Sequence, residues 1–252
     1  MYSVYSWFGF NMETNALYNT IKRAGFDATT LWWGDKNYPD YKKHYEIASK
    51  TGLFVENAHL PYEGINNLWL DNIDGTQLVE NLLQWINECA DVSIPTVVMH
   101  LTTGDTPPPY NTPGLDRLKR IIETAEKRNI NVALENLRRV EYLAFALENI
   151  TSPRCGFCFD SGHQHLHSPN VDLLAKHGAR LMALHLHDND QTGDRHLLPF
   201  DGTINWDATM QNIKATEYTG ALALEVNGAN YPSAEAFLAE AFDRVKRLHT
   251  IR

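Results

Sequence analysis

From Tyr2 to Leu248 the chain repeats one unit: a short apolar run, then a longer segment whose apolar residues recur at helical spacing. The runs cover Tyr2 to Phe8, Asp27 to Trp33, Leu53 to His59, Thr96 to Leu101, Asn131 to Glu135, Cys155 to Asp160, Arg180 to Leu186 and Ala221 to Val226. The helical segments cover Glu13 to Ala24, Pro39 to Lys50, Gly75 to Val92, Leu115 to Arg128, Glu141 to Asn149, Val171 to His177, Asp207 to Ala215 and Ala234 to Leu248. Nearly continuous apolar strands are those buried on both faces, and intervening helices make them parallel. No glycine-rich dinucleotide fingerprint follows the first run, which weakens an open doubly wound sheet. Eight such units predict an α/β fold of the (β/α)8 TIM barrel type, a single domain over residues 1–252. A chain of this length with 43% hydrophobic residues can bury such a core.

A closed barrel carries every strand C-terminus to one rim. His59, His100, Glu135, Asp160, His185 and Glu225 each stand at or near the end of runs three to eight. Helix capping accounts for one such carboxylate, for example Asp160 before Ser161-Gly-His163, but not for all of them. Their convergence predicts a site for a divalent cation. Mixed imidazole and carboxylate donors favour Mn2+, Zn2+ or Co2+ over Mg2+, which prefers oxygen alone.

Charge and composition narrow the partners. The formal net charge is −9, so the chain as a whole repels a phosphate backbone and nucleic acid is disfavoured. No apolar stretch is long enough to span a bilayer, and the first residues lack the pattern of a signal peptide, which predicts a cytoplasmic protein with no membrane partner. Cys89, Cys155 and Cys158 cannot all pair and read as buried free thiols. The loop Leu60 to Trp69 is long and aromatic, which suits the wall of a site. The sequence leaves oligomeric state open, a homo-oligomer included.

His59-Leu-Pro-Tyr62, Leu134-Glu135-Asn136, Phe159-Asp160-Ser-Gly-His163, His185-Leu-His-Asp188-Asn189, Asp194-Arg-His196 and Glu225 stand in an order and spacing that resembles the xylose isomerase-like barrels, which include sugar isomerases and epimerases and the endonuclease IV group. In the sugar branch the resemblance implies that Glu135, Asp160, His185 and Glu225 hold one catalytic divalent ion, with His163 near the substrate. Glu135-Asn-Leu-Arg-Arg139-Val-Glu141 is similar to a segment of ketose 3-epimerases whose Arg and Glu contact the sugar; a solvated helix start accounts for Arg139 and Glu141 equally well. His59 and His100 join the substrate-binding candidates. Trp7, Trp33 and Trp69 are candidates to stack on a sugar ring, whereas Trp32 reads as core.

The implied chemistry is removal of a proton beside a carbonyl, which a carboxylate cannot achieve unaided; a cation holding the neighbouring oxygens stabilises the enediolate. Glu135 and Glu225, arriving from strands five and eight, would be the acid/base pair. Return of the proton to the opposite face gives epimerisation, and its transfer to the adjacent carbon gives isomerisation; both stay open. The expected substrate is a small sugar or sugar phosphate.

The strongest rival is an endonuclease IV-like enzyme acting at abasic DNA. His59, His100, His163, Asp194 and His196 would then be additional ligands, completing a nine-residue set with Glu135, Asp160, His185 and Glu225. Few Lys or Arg residues follow His59 and His100 to meet a DNA backbone. A non-enzymatic sugar-binding barrel and a lyase or dehydratase using the same proton abstraction are the remaining alternatives.

Overall fold

The computed structural model describes residues 1–251. In chain order the elements are β1 (Tyr2–Tyr5), α1 (Thr14–Ala24), β2 (Ala28–Trp32), α2 (Tyr41–Lys50), β3 (Phe54–His59), α3 (Ile73–Asp91), β4 (Thr96–Met99), α4 (Thr112–Arg128), β5 (Asn131–Glu135), α5 (Val140–Asn149), β6 (Cys155–Asp160), α6 (Ser161–His167), α7 (Leu173–His177), β7 (Leu181–His185), α8 (Trp206–Ala215), β8 (Leu222–Leu224) and α9 (Ala234–Thr250). Local chemistry sets several boundaries. Asn72 and Asn111 accept the Gly75 and Gly114 N–H groups and so start α3 and α4. Gly25, at φ 106°, turns the chain out of α1.

Among the described residues the eight strands are parallel, in the order β7-β6-β5-β4-β3-β2-β1-β8. The ring closes through a bridge between Leu186 and Leu224, where Leu186 N–H donates to Ala223 O at 2.9 Å and Glu225 N–H donates to Leu186 O at 3.2 Å. The fold is the (β/α)8 TIM barrel that the alternation predicts. Most of the apolar core lies between strands and helices, where Ile21, Leu82, Ile121, Leu143 and Leu238 are buried. Inside the barrel, Val98, Ala133, Cys158 and Ala183 form a separate small cluster. These side chains are short and leave the ends of their strands clear for longer polar ones.

Beside that cluster lies a buried polar group. The register between β2 and β3 shifts so that Thr29 faces Val55 and Thr30 faces Asn57, which leaves Glu56 as the extra residue of a bulge. Glu56 is 8% exposed, and its Oε1 and both amide atoms of Asn57 have no hydrogen-bond partner in the protein.

Several boundaries differ from the sequence reading. β1 ends at Tyr5 rather than Phe8: the Ser6 N–H still bonds Thr30 O, but Phe8 turns outward and stacks on Phe237. α6 is absent from the helical segments read in the sequence, yet its start is the cap that Asp160 offers there, with Oδ1 accepting the His163 N–H at 2.6 Å. All three cysteines are buried and free, as their number and setting suggest. Among the described residues no helix is long and apolar enough to cross a membrane.

Candidate active site

Glu135, Asp160 and His185 are the last residues of β5, β6 and β7, His59 is the last of β3, and His100 and Glu225 follow β4 and β8 by one residue. The rim therefore brings together all six strand-end residues. Glu135 is the hub: its Oε2 lies 3.2 Å from His59 Nε2 and 3.4 Å from both His100 Nε2 and His185 Nδ1, and its Oε1 lies 3.0 Å from His163 Nδ1. Glu225 Oε2 reaches His185 Nδ1 at 2.9 Å. A second set continues outward. Asp160 lies 3.4 Å from His163 Nδ1, and Asp194 Oδ2 lies 3.1 Å from His163 Nε2 and 3.5 Å from His196 Nε2.

Main-chain contacts orient these rings. His59 Nδ1 must donate to the Leu60 carbonyl at 2.8 Å, which turns Nε2 toward Glu135 Oε2. His196 Nδ1 likewise donates to Glu225 O at 2.9 Å and turns Nε2 toward Asp194. Asn136 ties the ends of β5 and β6 together, donating to Asp160 O and accepting from Asp160 N. Asp188 holds the loop before α8: its carboxylate accepts from the Phe200 and Ile204 amides and from the Trp206 indole at 2.7 Å.

Electrostatics point to a cation. Burial opposes ionisation of Glu135, but His100 and His185 outweigh it and hold the carboxyl well below the usual range. Burial also opposes Glu225, which His185 and His196 nonetheless keep ionised. The same carboxylates act in reverse on the imidazoles. Despite burial, Asp160, Asp194 and Glu135 raise His163 well above its ordinary value, and Asp194 and Glu225 push His196 up to about 9. Four carboxylates crowded at the rim thus need positive charge, as protons or as metal. The donor set fits a metal on geometric grounds too. Neither ring nitrogen of His185 finds a well-directed hydrogen bond although it is 1% exposed, and four overlapping trios of ligand atoms, among them Asp160, His185 and Glu225, lie within 4.8 Å of one another.

Above the cluster opens a cavity of about 310 Å³, lined by Tyr62, His100, Thr102, Thr103, Leu137, Arg138, His163, His167 and Asp194. Tyr62 stacks on the His100 ring at 4.6 Å, so the aromatic loop does supply a wall. Three sequence expectations need correction here. Trp69 is 1% exposed, donates its indole N–H to Leu101 O at 2.7 Å and packs against Gly114 of α4; it is core, with no surface left for a sugar. Trp33 is fully buried, with its indole on Glu88. Arg139 and Glu141 pair with each other at 2.5 Å in solvent, and the neighbouring Arg138 is the guanidinium that lines the cavity. Trp7 is exposed but lines a different cavity.

Sequence reasoning missed two residues, Trp32 and His167. Trp32, read as core, lies with its ring 4.5 Å from His59, and its β2 position is directly paired with His59. Strand parity carried that signal: Trp32 shares the inward face with Thr30, and its neighbour Trp33 cannot. His187, two residues beyond His185, supports the site from beneath: it is fully buried with Nε2 3.0 Å from Asp160 Oδ1, and stacks on His196 at 4.1 Å. His167 reaches the cavity only through α6, which lies outside the helical segments read in the sequence.

Comparison with known proteins agrees with this geometry. The chain is 36% identical over 172 residues to the uncharacterized protein y4fM of Sinorhizobium fredii, a match covering 63% of this chain and 55% of that relative, so the aligned part spans about half the relative's length. The fold superposes on D-psicose 3-epimerase of Clostridium cellulolyticum H10 with a TM-score of 0.81 at 12% identity, covering 99% of this chain and 98% of that one. It superposes on the 3-keto-D-glucoside 4-epimerase YcjR of E. coli with a TM-score of 0.76 at 19% identity, covering 99% of this chain and all of that one. A family model described as xylose isomerase-like TIM barrel matches residues 19–248. With a match from the first helix to the last, and a closed barrel whose rim gathers the motif residues, the chain belongs to the xylose isomerase-like TIM barrel family.

Proposed function

We propose that the protein is a divalent-metal-dependent isomerase or epimerase of a sugar or sugar phosphate, acting by proton transfer beside a carbonyl. The observation that carries this reading is the placement of Glu135 and Glu225. They come from strands separated by β6 and β7, yet both carboxylates close on the one imidazole of His185, at 3.4 and 2.9 Å. Two carboxylates that approach a single centre from different sides suit removal and return of a proton. The names of the epimerases that share the fold add support.

Glu135, Asp160, His185 and Glu225 would hold the ion, with His59, His100, His163, Asp194 and His196 as further donors. When bound, such an ion supplies electrophilic stabilisation of developing negative charge on oxygen. The chain's own residues do the rest. Glu135 and Glu225 are kept ionised, the state a general base requires. His163, held between Glu135 and Asp194, lines the cavity and fixes both carboxylates beside a bound sugar. Tyr62 and Trp32 shield one side from water.

A second reading is kept because one observation favours it. All nine side chains of the endonuclease IV-like set are gathered, each within 3.5 Å of another member. Against it, Arg138 is the one Lys or Arg that lines the cavity among the described residues, and it is already bonded to Asp105 at 2.6 Å. The deciding experiment is a panel of sugars and sugar phosphates with added Mn2+, run beside an abasic DNA duplex. Sugar turnover that Glu135→Gln and Glu225→Gln each reduce at least ~100-fold supports the proposal. Incision of the duplex with no sugar turned over refutes it.

A further inference from the structure

The cation ligands come from β3 to β8, and the remaining arc of the rim, at the ends of β8, β1 and β2, encloses a second cavity of about 610 Å³. Its lining includes two aromatic side chains, Phe10 and Trp7, the latter 45% exposed. The lining also carries three carboxamides and a phenol, those of Asn11, Asn37, Asn227 and Tyr38. Among the described residues no Asp, Glu, Lys or Arg lines it, and the one imidazole in its lining, His44, is kept toward its neutral form by burial. The helix that begins beside it, α1, already spends its Ala16 N–H on the Glu13 carboxylate at 3.1 Å. A phosphate or carboxylate would therefore meet an anionic cap and no cation, and a purely apolar ligand would strip water from the amides without replacing it. A ring with C–H faces and hydroxyl edges satisfies both kinds of lining group, by stacking on the indole and bonding to the carboxamides.

This cavity abuts the cation centre. Tyr38 stacks on Trp32 at 6.4 Å, and Trp32 is the ring 4.5 Å from His59. Asn227 stands two residues beyond Glu225 and donates its N–H to His196 O at 2.8 Å. Trp7 stands two residues beyond Tyr5, whose ring is 6.2 Å from that of His185, and two residues span at most ~7 Å. We propose that the cavity is a subsite for a second, neutral sugar ring, so that the substrate is a two-ring saccharide whose reacting unit lies at the cation centre. This rests on the sugar reading above and narrows its substrate class. The ring at Trp7 undergoes no chemistry, and its binding energy serves to position the unit that does.

The test uses the Mn2+-loaded protein with reducing disaccharides and the free monosaccharides that form their reducing ends. The disaccharide should have a kcat/KM at least ~10-fold higher, with the ratio falling toward unity in Trp7→Ala and largely kept in Trp7→Phe. A ratio of one in the wild type, or a ratio that Trp7→Ala leaves unchanged, overturns the subsite while leaving sugar turnover standing. A binding measurement separates the two proposals. Saturation-transfer NMR with trehalose and sucrose, which carry no reactive carbonyl, should show contact in the wild type and none in Trp7→Ala. Equal signals in both proteins overturn the subsite; Trp7-dependent binding without turnover of any sugar upholds it and removes the catalytic reading instead.

Discussion

Glu56 offers a test of how the barrel interior treats charge. It is a bulge residue, 8% exposed, with an oxygen that no group in the protein satisfies. Burial pushes its carboxyl up to about 7 from the ordinary 4.5, and Ser3 and His185 offset only part of that. The folded state therefore holds the proton more tightly than the unfolded chain. The sign follows: the favourable contribution of protonated Glu56 is fully present below pH ~4.5 and is lost as pH rises through ~7. A shift of roughly 2.5 pH units corresponds to about 3 kcal/mol. Glu56→Gln keeps the shape and removes the titration. In EDTA-treated protein, so that metal binding does not contribute, its stability relative to wild type should climb by about 3 kcal/mol between pH 4.5 and 8. At roughly 2–4 °C per kcal/mol, melting midpoints should diverge by about 6–12 °C across that range. Urea unfolding at each pH measures the same difference. A constant offset between variant and wild type from pH 4.5 to 8 would show that Glu56 titrates as if in water, and the reasoning would be wrong.

Other consequences can be checked independently. Mn2+ or Zn2+ should raise the melting temperature and EDTA lower it, with affinity weakening as pH falls, because the raised imidazoles of His163, His185 and His196 hold protons that a cation must displace; calorimetric titration at pH 6 and 8 measures this, and equal affinity at both would count against those imidazoles as ligands. Trp69→Ala should cost about 3–5 kcal/mol in urea unfolding, as loss of a buried indole does; an unchanged stability with a raised KM would return Trp69 to the substrate. Arg138→Ala should raise KM for substrate at least ~10-fold while Arg139→Ala stays within about twofold, since Arg138 alone of the pair lines the cavity; the reverse order would restore the 3-epimerase-like assignment.

Much of this was legible before any coordinates. Apolar runs without alternation could only be strands covered on both faces, and the polar residue at each run's end then had to share a rim. What stayed hidden depended on parity and on turns. Trp32 and Trp33 are indistinguishable by composition, and the pairing of Trp32 with His59 decides which of them faces inward. Arg138 and Arg139 differ by one residue in a short connection, where no periodicity fixes direction. The bulge at Glu56 interrupts a strand whose sequence gives no sign of it. Trp69 looked like a loop aromatic because the 3-10 turn Ile65–Trp69 that folds it under α4 carries no strong signal of its own.

The join between the last two strands has a mechanical meaning. Every other pair of neighbouring strands is joined at two or more positions, but β7 and β8 meet at one bridge, Leu186 to Leu224. His185 precedes that bridge on one edge and Glu225 follows it on the other, 2.9 Å apart. A cation clasped between them would act as a rivet across the weakest stave of the cask, so that loading the centre and sealing the wall become one event. In stripped protein the amides of Leu186 and Glu225 should be the first of the strand hydrogens to exchange with solvent, and the metal should slow them most.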